Sequence, residues 1–246
     1  MADPAPWLEP AGTPPPEPAG VVLLAHGGKA HSPAPARRGL AYWRMRPFAH
    51  DLERAGRGHV TERGRGVAVY LLRYRVKGWN GAAMDALADV EWALAELARR
   101  HPGGPVVLVG HSMGGRAVLR AAGGPGVVAV CGLAPWLDGT DPVGQLAGRG
   151  VLIAHGDRER MTDPAASFAY AVRAREVTDR VARFDVLGDG HAMLRRAADW
   201  TDLVRRFVLG ELGAEPPDPM VTNAMREPAP DGLRVALRGP AVQENR

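Results

Sequence analysis

Among the 246 residues stand only three serines (Ser32, Ser112 and Ser167), eight histidines and one cysteine, so few side chains can act as nucleophile or general base. Ser112 is the one whose surroundings suit chemistry. It lies in Gly110-His111-Ser112-Met113-Gly114, directly after the apolar run VVLVG (106–110) and before an Ala/Leu-rich stretch. A serine at a tight strand-to-helix turn takes a strained backbone, and its hydroxyl then projects from the sheet edge. Its neighbours two places away must be small so that strand and helix can approach. The helix that begins there aims free N–H groups and its positive end at any negative charge that develops. The chemistry implied is nucleophilic attack on a carbonyl. The plainer alternative is a Gly-rich connection with an N-capping serine; a buried strand before the motif and a helix after it favour the nucleophile. A phosphate-binding loop is excluded, because G-x-x-x-x-G-K-[ST] is absent and no lysine is near.

Such a serine needs a base and an acid, in chain order serine, acid, histidine. His26, His31, His50, His59 and His101 all precede the nucleophile strand, His111 is inside the turn, and His155 precedes any acid on the following loop. That leaves His191, in LGDGHAML, as the base that would meet the Ser112 hydroxyl. Three acids follow the run VLIAHG (151–156): Asp157, Glu159 and Asp163. An acid beside His191 would orient the ring and stabilise the imidazolium. Each is equally readable as a solvated loop charge, and Asp163, before Pro164, as a helix cap. The residues by themselves leave the three open.

These side chains must be held by a scaffold, and the pattern between residues 20 and 212 predicts one. VVLLAH (21–26), VAVYLLRY (67–74), VVLVG (106–110), VVAVCGLA (127–134), VLIAHG (151–156) and VARFDVL (181–187) are short, Val-rich runs that suit strands buried on both faces. Between them apolar residues recur at helical spacing, as Leu87, Val90, Leu94 and Leu97 do, and again Met193, Ala197, Trp200, Val204 and Phe207. Strand alternating with helix gives an α/β domain, a parallel sheet with helices on both sides. Residues 1–19 and 213–246 are Pro-rich and lack periodicity, so both are expected as flexible tails, with LRVALR (233–238) as a short strand or docking piece.

Composition narrows the function classes. Apolar residues make up 46% and charged residues 24%, enough for a substantial core. No run of eighteen apolar residues exists to span a membrane. Cys131 alone makes neither a disulfide nor a thiolate metal cluster, which excludes disulfide scaffolds and structural zinc fingers, and the chemistry read at Ser112 calls for no metal. The first twenty residues lack a basic region and an apolar core, so a reducing cytoplasm is the expected compartment. The net charge is +4, almost wholly from arginine, Lys29 and Lys77 being the only lysines. The arginines are scattered among acids, which argues against nucleic acid as a partner.

HGG at 26–28, GHSMGG at 110–115, HGDRE at 155–159 and GDGH at 188–191, in that order, resemble the α/β-hydrolase superfamily, and within it small lidless members similar to dienelactone hydrolases and carboxylesterases. The resemblance spans about residues 20–210. It implies the acid at the third position past the glycine of H-G-x-x-D. Here that is Glu159, one methylene longer than the usual aspartate, with Asp157 as the fallback. It implies an oxyanion hole from the N–H groups of Met113 and Gly28. It implies a sheet trimmed to about six parallel strands, since residues before 20 leave no room for two antiparallel ones. It also implies no large cap domain, because the segment 135–150 is short.

The expected activity is hydrolysis of a small ester or thioester through an acyl-serine, without cofactor. Trp79, Trp136, Met161 and Met193 are candidates to line the open site. The rival readings are a thioesterase unloading an acyl carrier protein, and a non-catalytic interaction module on the same fold.

Overall fold

In the computed structural model, which describes residues 5–237, the chain forms β1 (Trp7–Pro10), β2 (Gly20–Ala25), α1 (Leu40–Gly56), β3 (Val60–Thr61), β4 (Gly64–Arg65), β5 (Val67–Arg73), α2 (Asp85–Arg100), β6 (Val106–His111) and α3 (Met113–Arg120). There follow β7 (Val127–Leu133), β8 (Gly150–Gly156), α4 (Pro164–Ala174), β9 (Val181–Val186), α5 (Ala197–Glu211), α6 (Pro219–Arg226) and β10 (Val235–Leu237). Eight strands make one sheet in the order β1-β5-β2-β6-β7-β8-β9-β10, and β3 with β4 forms a separate small ribbon.

All six apolar runs became parallel strands of this sheet. Side chains alternate between its faces. Val21, Leu23, Leu108, Val130 and Ile153 pack with α2, α3 and α4 on one side. Val22, Leu24, Val107, Cys131 and Phe184 pack with α1, α5 and α6 on the other. Burial on both faces is why these strands read as continuous apolar runs.

The sheet is wider than the expected six strands, and the segments expected as tails supply the difference. Trp7–Pro10 pairs antiparallel with β5 and buries Leu8. Proline hid this strand, yet a sheet edge tolerates the missing N–H. At the other edge Val235–Leu237 pairs parallel with β9. Between α5 and that strand, Asp218 caps α6 by accepting the Val221 N–H at 3.0 Å, with Pro219 in the first helical position. Asp-Pro here is a helix start. Arg238 and the rest of the expected C-terminal tail, like residues 1–4, lie outside the described residues.

Between β7 and β8 the chain makes only one 3-10 turn, Gly144–Leu146, so no cap is inserted there. No helix among the described residues is long and apolar enough to cross a membrane.

Candidate active site

Ser112 sits between β6 and α3 with φ 57° and ψ −119°, a region that a residue with a side chain adopts only under strain. Its N–H donates to the Leu133 carbonyl at 3.0 Å, and its own carbonyl accepts from Trp136 and Arg116 at 3.0 and 3.1 Å. The turn is therefore over-determined from both sides. The flanking glycines are sterically required. A Cβ on Gly110 would collide with the Gly114 carbonyl, and one on Gly114 would stand 2.6 Å from the His26 carbonyl.

The three residues assembled here come from three loops at one end of the sheet. His191 Nδ1–H donates to Glu159 Oε2 at 2.8 Å, which leaves Nε2 to accept from the Ser112 hydroxyl at 3.1 Å. The Glu159 side chain is sealed from solvent. Its second oxygen, Oε1, accepts the backbone N–H groups of Arg160 and Met161 at 2.7 Å and of Thr162 at 3.3 Å. Burial works to raise its pKa, but the His191 hydrogen bond, the loop N–H groups and the His191 charge outweigh burial and hold it down to about 2.

The other two acids are elsewhere. Asp157 accepts the Gly188 N–H at 2.7 Å, and Asp163 caps α4 through the Ala165 N–H at 2.8 Å.

Gly28 packs directly on the turn that carries Ser112 and Met113. A Cβ there would lie 2.6 Å from both the Met113 Sδ and the Lys77 carbonyl. Within the described residues neither the Gly28 nor the Met113 N–H is taken by a backbone acceptor. The Gly28 loop is braced by the segment after β5: Lys29 N–H donates to the Lys77 carbonyl, Trp79 N–H returns to the Lys29 carbonyl, and Asn80 Oδ1 accepts the Ser32 N–H at 2.7 Å.

Of the expected lining residues, Trp79 and Trp136 form an edge-to-face pair with the Arg116 guanidinium 4.8 and 4.9 Å from their ring centres. Trp79 is only 4% exposed. Arg116 is itself buried and bonded to Asp141 at 2.9 Å and Asp138 at 2.5 Å. Met193 lies in the core beneath α5, and Met161 is open to solvent beside Glu159.

Three supporting residues were not foreseen. Asp189 is buried, with Oδ1 accepting the Gly190 N–H at 2.8 Å and Oδ2 accepting the Arg196 N–H and the Trp200 indole N–H at 3.0 and 3.1 Å, which anchors the His191 loop to α5. His111 Nε2–H donates to the His191 carbonyl at 2.9 Å and joins the two loops. His155 lies behind Glu159 and bonds Ser167 and Thr162 at 2.8 and 3.0 Å. The Asp-Gly-His string and a histidine inside the turn were visible signals for the first two. Nothing in the order of residues ties His155 to Ser167. Among the described residues no group of three or more His, Cys, Asp or Glu is placed to hold a metal ion.

The family model described as "Serine aminopeptidase, S33" matches residues 16–148. No curated protein matches the chain at a significant level. Among solved structures it is similar to Est1E from Butyrivibrio proteoclasticus, at 16% identity and a TM-score of 0.57 over 85% of this chain and 94% of that one. It is similar to an α/β serine hydrolase without a lid from Xanthomonas campestris, at 16% identity and a TM-score of 0.59 over 86% and 90%. It is also similar to butyrate-bound esterase 2 of the planctomycete Thermogutta terrifontis, at 18% identity and a TM-score of 0.59 over 87% and 91%. At these identities the likeness is one of fold.

Proposed function

The chain belongs to the serine aminopeptidase S33 family of α/β hydrolases, and from that premise we propose that it cleaves small carboxylic esters through Ser112, His191 and Glu159. The observation that carries the reading is the continuous relay Glu159 Oε2, His191 Nδ1, His191 Nε2, Ser112 Oγ, at 2.8 and 3.1 Å. His191 Nε2 takes the Ser112 proton as Oγ attacks the ester carbonyl. Glu159 stabilises the resulting imidazolium. The N–H groups of Met113 and Gly28 donate to the oxyanion, each worth ~3 kcal/mol in comparable sites. The imidazolium gives its proton to the departing alcohol. Water, deprotonated by His191, then hydrolyses the acyl-serine and restores the hydroxyl.

Aminopeptidase action on a free N-terminus fits the site less well. An α-ammonium needs an unspent carboxylate, and the acid against His191 and the acid that anchors its loop are already engaged: Glu159 by four N–H donors and Asp189 by three. The non-catalytic alternative loses its one motive, since the longer Glu159 side chain reaches His191. A panel of p-nitrophenyl acyl esters, an acyl-coenzyme A and an aminoacyl p-nitroanilide tests the reading. Turnover of short esters that is lost in Ser112→Ala supports it. Turnover of the anilide alone contradicts it.

A further inference from the structure

A groove of about 470 Å³ opens beside His191, and its rim carries Arg158, Arg160, Arg195 and Leu194. All four are exposed. The two loop arginines are fixed through their backbone: Arg158 N–H donates to the Asp189 carbonyl at 2.9 Å and Arg160 N–H to Glu159 Oε1 at 2.7 Å. Among the described residues no carboxylate lies within 4.0 Å of any of the three guanidinium groups. Arg54, Arg180 and Arg206, by contrast, are paired with Asp51, Glu211 and Asp218; what marks the three here is that unpaired guanidinium groups converge on one groove. Among the described residues the only acid lining the groove is Asp189, buried and committed to three N–H donors. The groove is thus a concave site with unspent positive charge. Arg44 adds to the positive field at the neighbouring His111.

The groove's place decides which part of a substrate enters it. It is lined by His191 but by no residue of the nucleophile turn or of the Gly28 loop. In acyl transfer the imidazolium delivers its proton to the leaving oxygen, so the alcohol lies against His191. Guanidinium groups bind carboxylate and phosphate with fixed, paired donors. Resting on the serine-hydrolase reading above, we propose that this groove is a leaving-group subsite for an anion: the preferred substrates are esters whose alcohol carries a carboxylate or phosphate.

The test compares 4-acetoxybenzoate with its neutral methyl ester, two substrates that share the acyl group and differ by one charge on the alcohol. The readout is the ratio of kcat/KM, anionic over neutral, for the wild type and for the triple variant Arg158→Gln, Arg160→Gln, Arg195→Gln. The intrinsic reactivities of the two esters cancel between enzymes. The ratio should fall ~10-fold or more in the variant, the scale of losing charge-assisted hydrogen bonds. In the wild type it should also fall as salt is raised, because the guanidinium groups are exposed. Should the triple variant fold poorly, Arg195→Gln and the wild-type salt series carry the same comparison. An unchanged, salt-independent ratio overturns the anion subsite alone. Failure of the wild type to cleave either ester, with Ser112 unlabelled by a fluorophosphonate, overturns the hydrolase reading on which it rests.

Discussion

One oxygen of the Glu159 carboxylate lies 2.8 Å from His191 Nδ1, and the other is gripped by three N–H groups of its own loop. The glutamate arm spans both sets of partners at once, as a triad acid in this position would. Glu159→Gln should lower kcat on p-nitrophenyl acetate by ~10⁴, because an amide does not fix the imidazole tautomer as a carboxylate does. Glu159→Asp should also be impaired, since a shorter arm gives up either the loop or the ring. Full activity of the aspartate variant would show that the loop adapts and that the glutamate length carries no weight.

The packing of Gly28 against Met113 and Lys77 makes a second prediction. Gly28→Ala places a methyl where the Lys77 carbonyl is 2.6 Å away, and that carbonyl is held by the Lys29 N–H. The Gly28 loop must shift, and with Gly28 as an oxyanion donor in the proposed mechanism kcat should fall by ~10² or more with little change in KM. Gly114→Ala meets the Ala25 and His26 carbonyls and should instead cost stability, ~2 kcal/mol or more, read from urea unfolding.

Much of this arrangement was legible in the chain because its strands are buried on both faces and its nucleophile turn has strict steric needs. Ser112 and His191 followed from residue order, whereas Glu159 was chosen over Asp157 and Asp163 only through family resemblance. What escaped was held by long-range pairing. The strand Trp7–Pro10 exists because β5 offers it an edge, and its prolines argued for a tail. The helix after Asp218 had a legible start, masked by the prolines around it. Asp189 drew no reading of its own in the sequence, because the partner that fixes it, the Trp200 indole N–H, lies eleven residues on. Trp79 read as a pocket wall, yet a buried arginine occupies its face.

That arginine gives a third prediction. Arg116 joins the loop of Trp79, the helix after the nucleophile and the loop of Trp136, and it is bonded to the buried Asp141. Arg116→Met keeps the bulk but removes the guanidinium shared by Asp138 and Asp141, leaving Asp141 with Arg120 and the Asp138 N–H. The variant should lose ~1–3 kcal/mol, since the buried Asp141 gives up one of its two cationic partners and its charge is only partly compensated. A urea midpoint equal to that of the wild type would contradict this.

Acid should destabilise the protein in two stages. Burial, the leading cause, lowers the pKa of His26 to about 4 and of His111 and His155 to about 3, from an ordinary value of 6.5; neighbouring cationic groups add to the effect for the last two. Below pH 6.5 the unfolded chain takes up protons that the folded one refuses. Their stabilisation is therefore full above pH 6.5 and drains as pH falls towards 4 and 3, by up to ~1.4 kcal/mol per pH unit for each ring. Glu159, lowered from 4.5 to about 2, contributes in full above pH 4.5 and is lost only below it. The urea midpoint should thus fall between pH 7 and 5, and His155→Gln should flatten that slope. A midpoint constant over this range would refute the buried neutral histidines.

The account stands or falls on whether the Ser112 hydroxyl is a reactive nucleophile activated by His191. Treating the protein with a fluorophosphonate probe and locating the adduct by mass spectrometry measures this directly. The account predicts one phosphonyl group per chain on Ser112, no labelling of Ser112→Ala, and labelling slowed by ~10³-fold or more in His191→Gln. A wild-type protein that is folded yet unlabelled, or labelled at equal rate without His191, would contradict it.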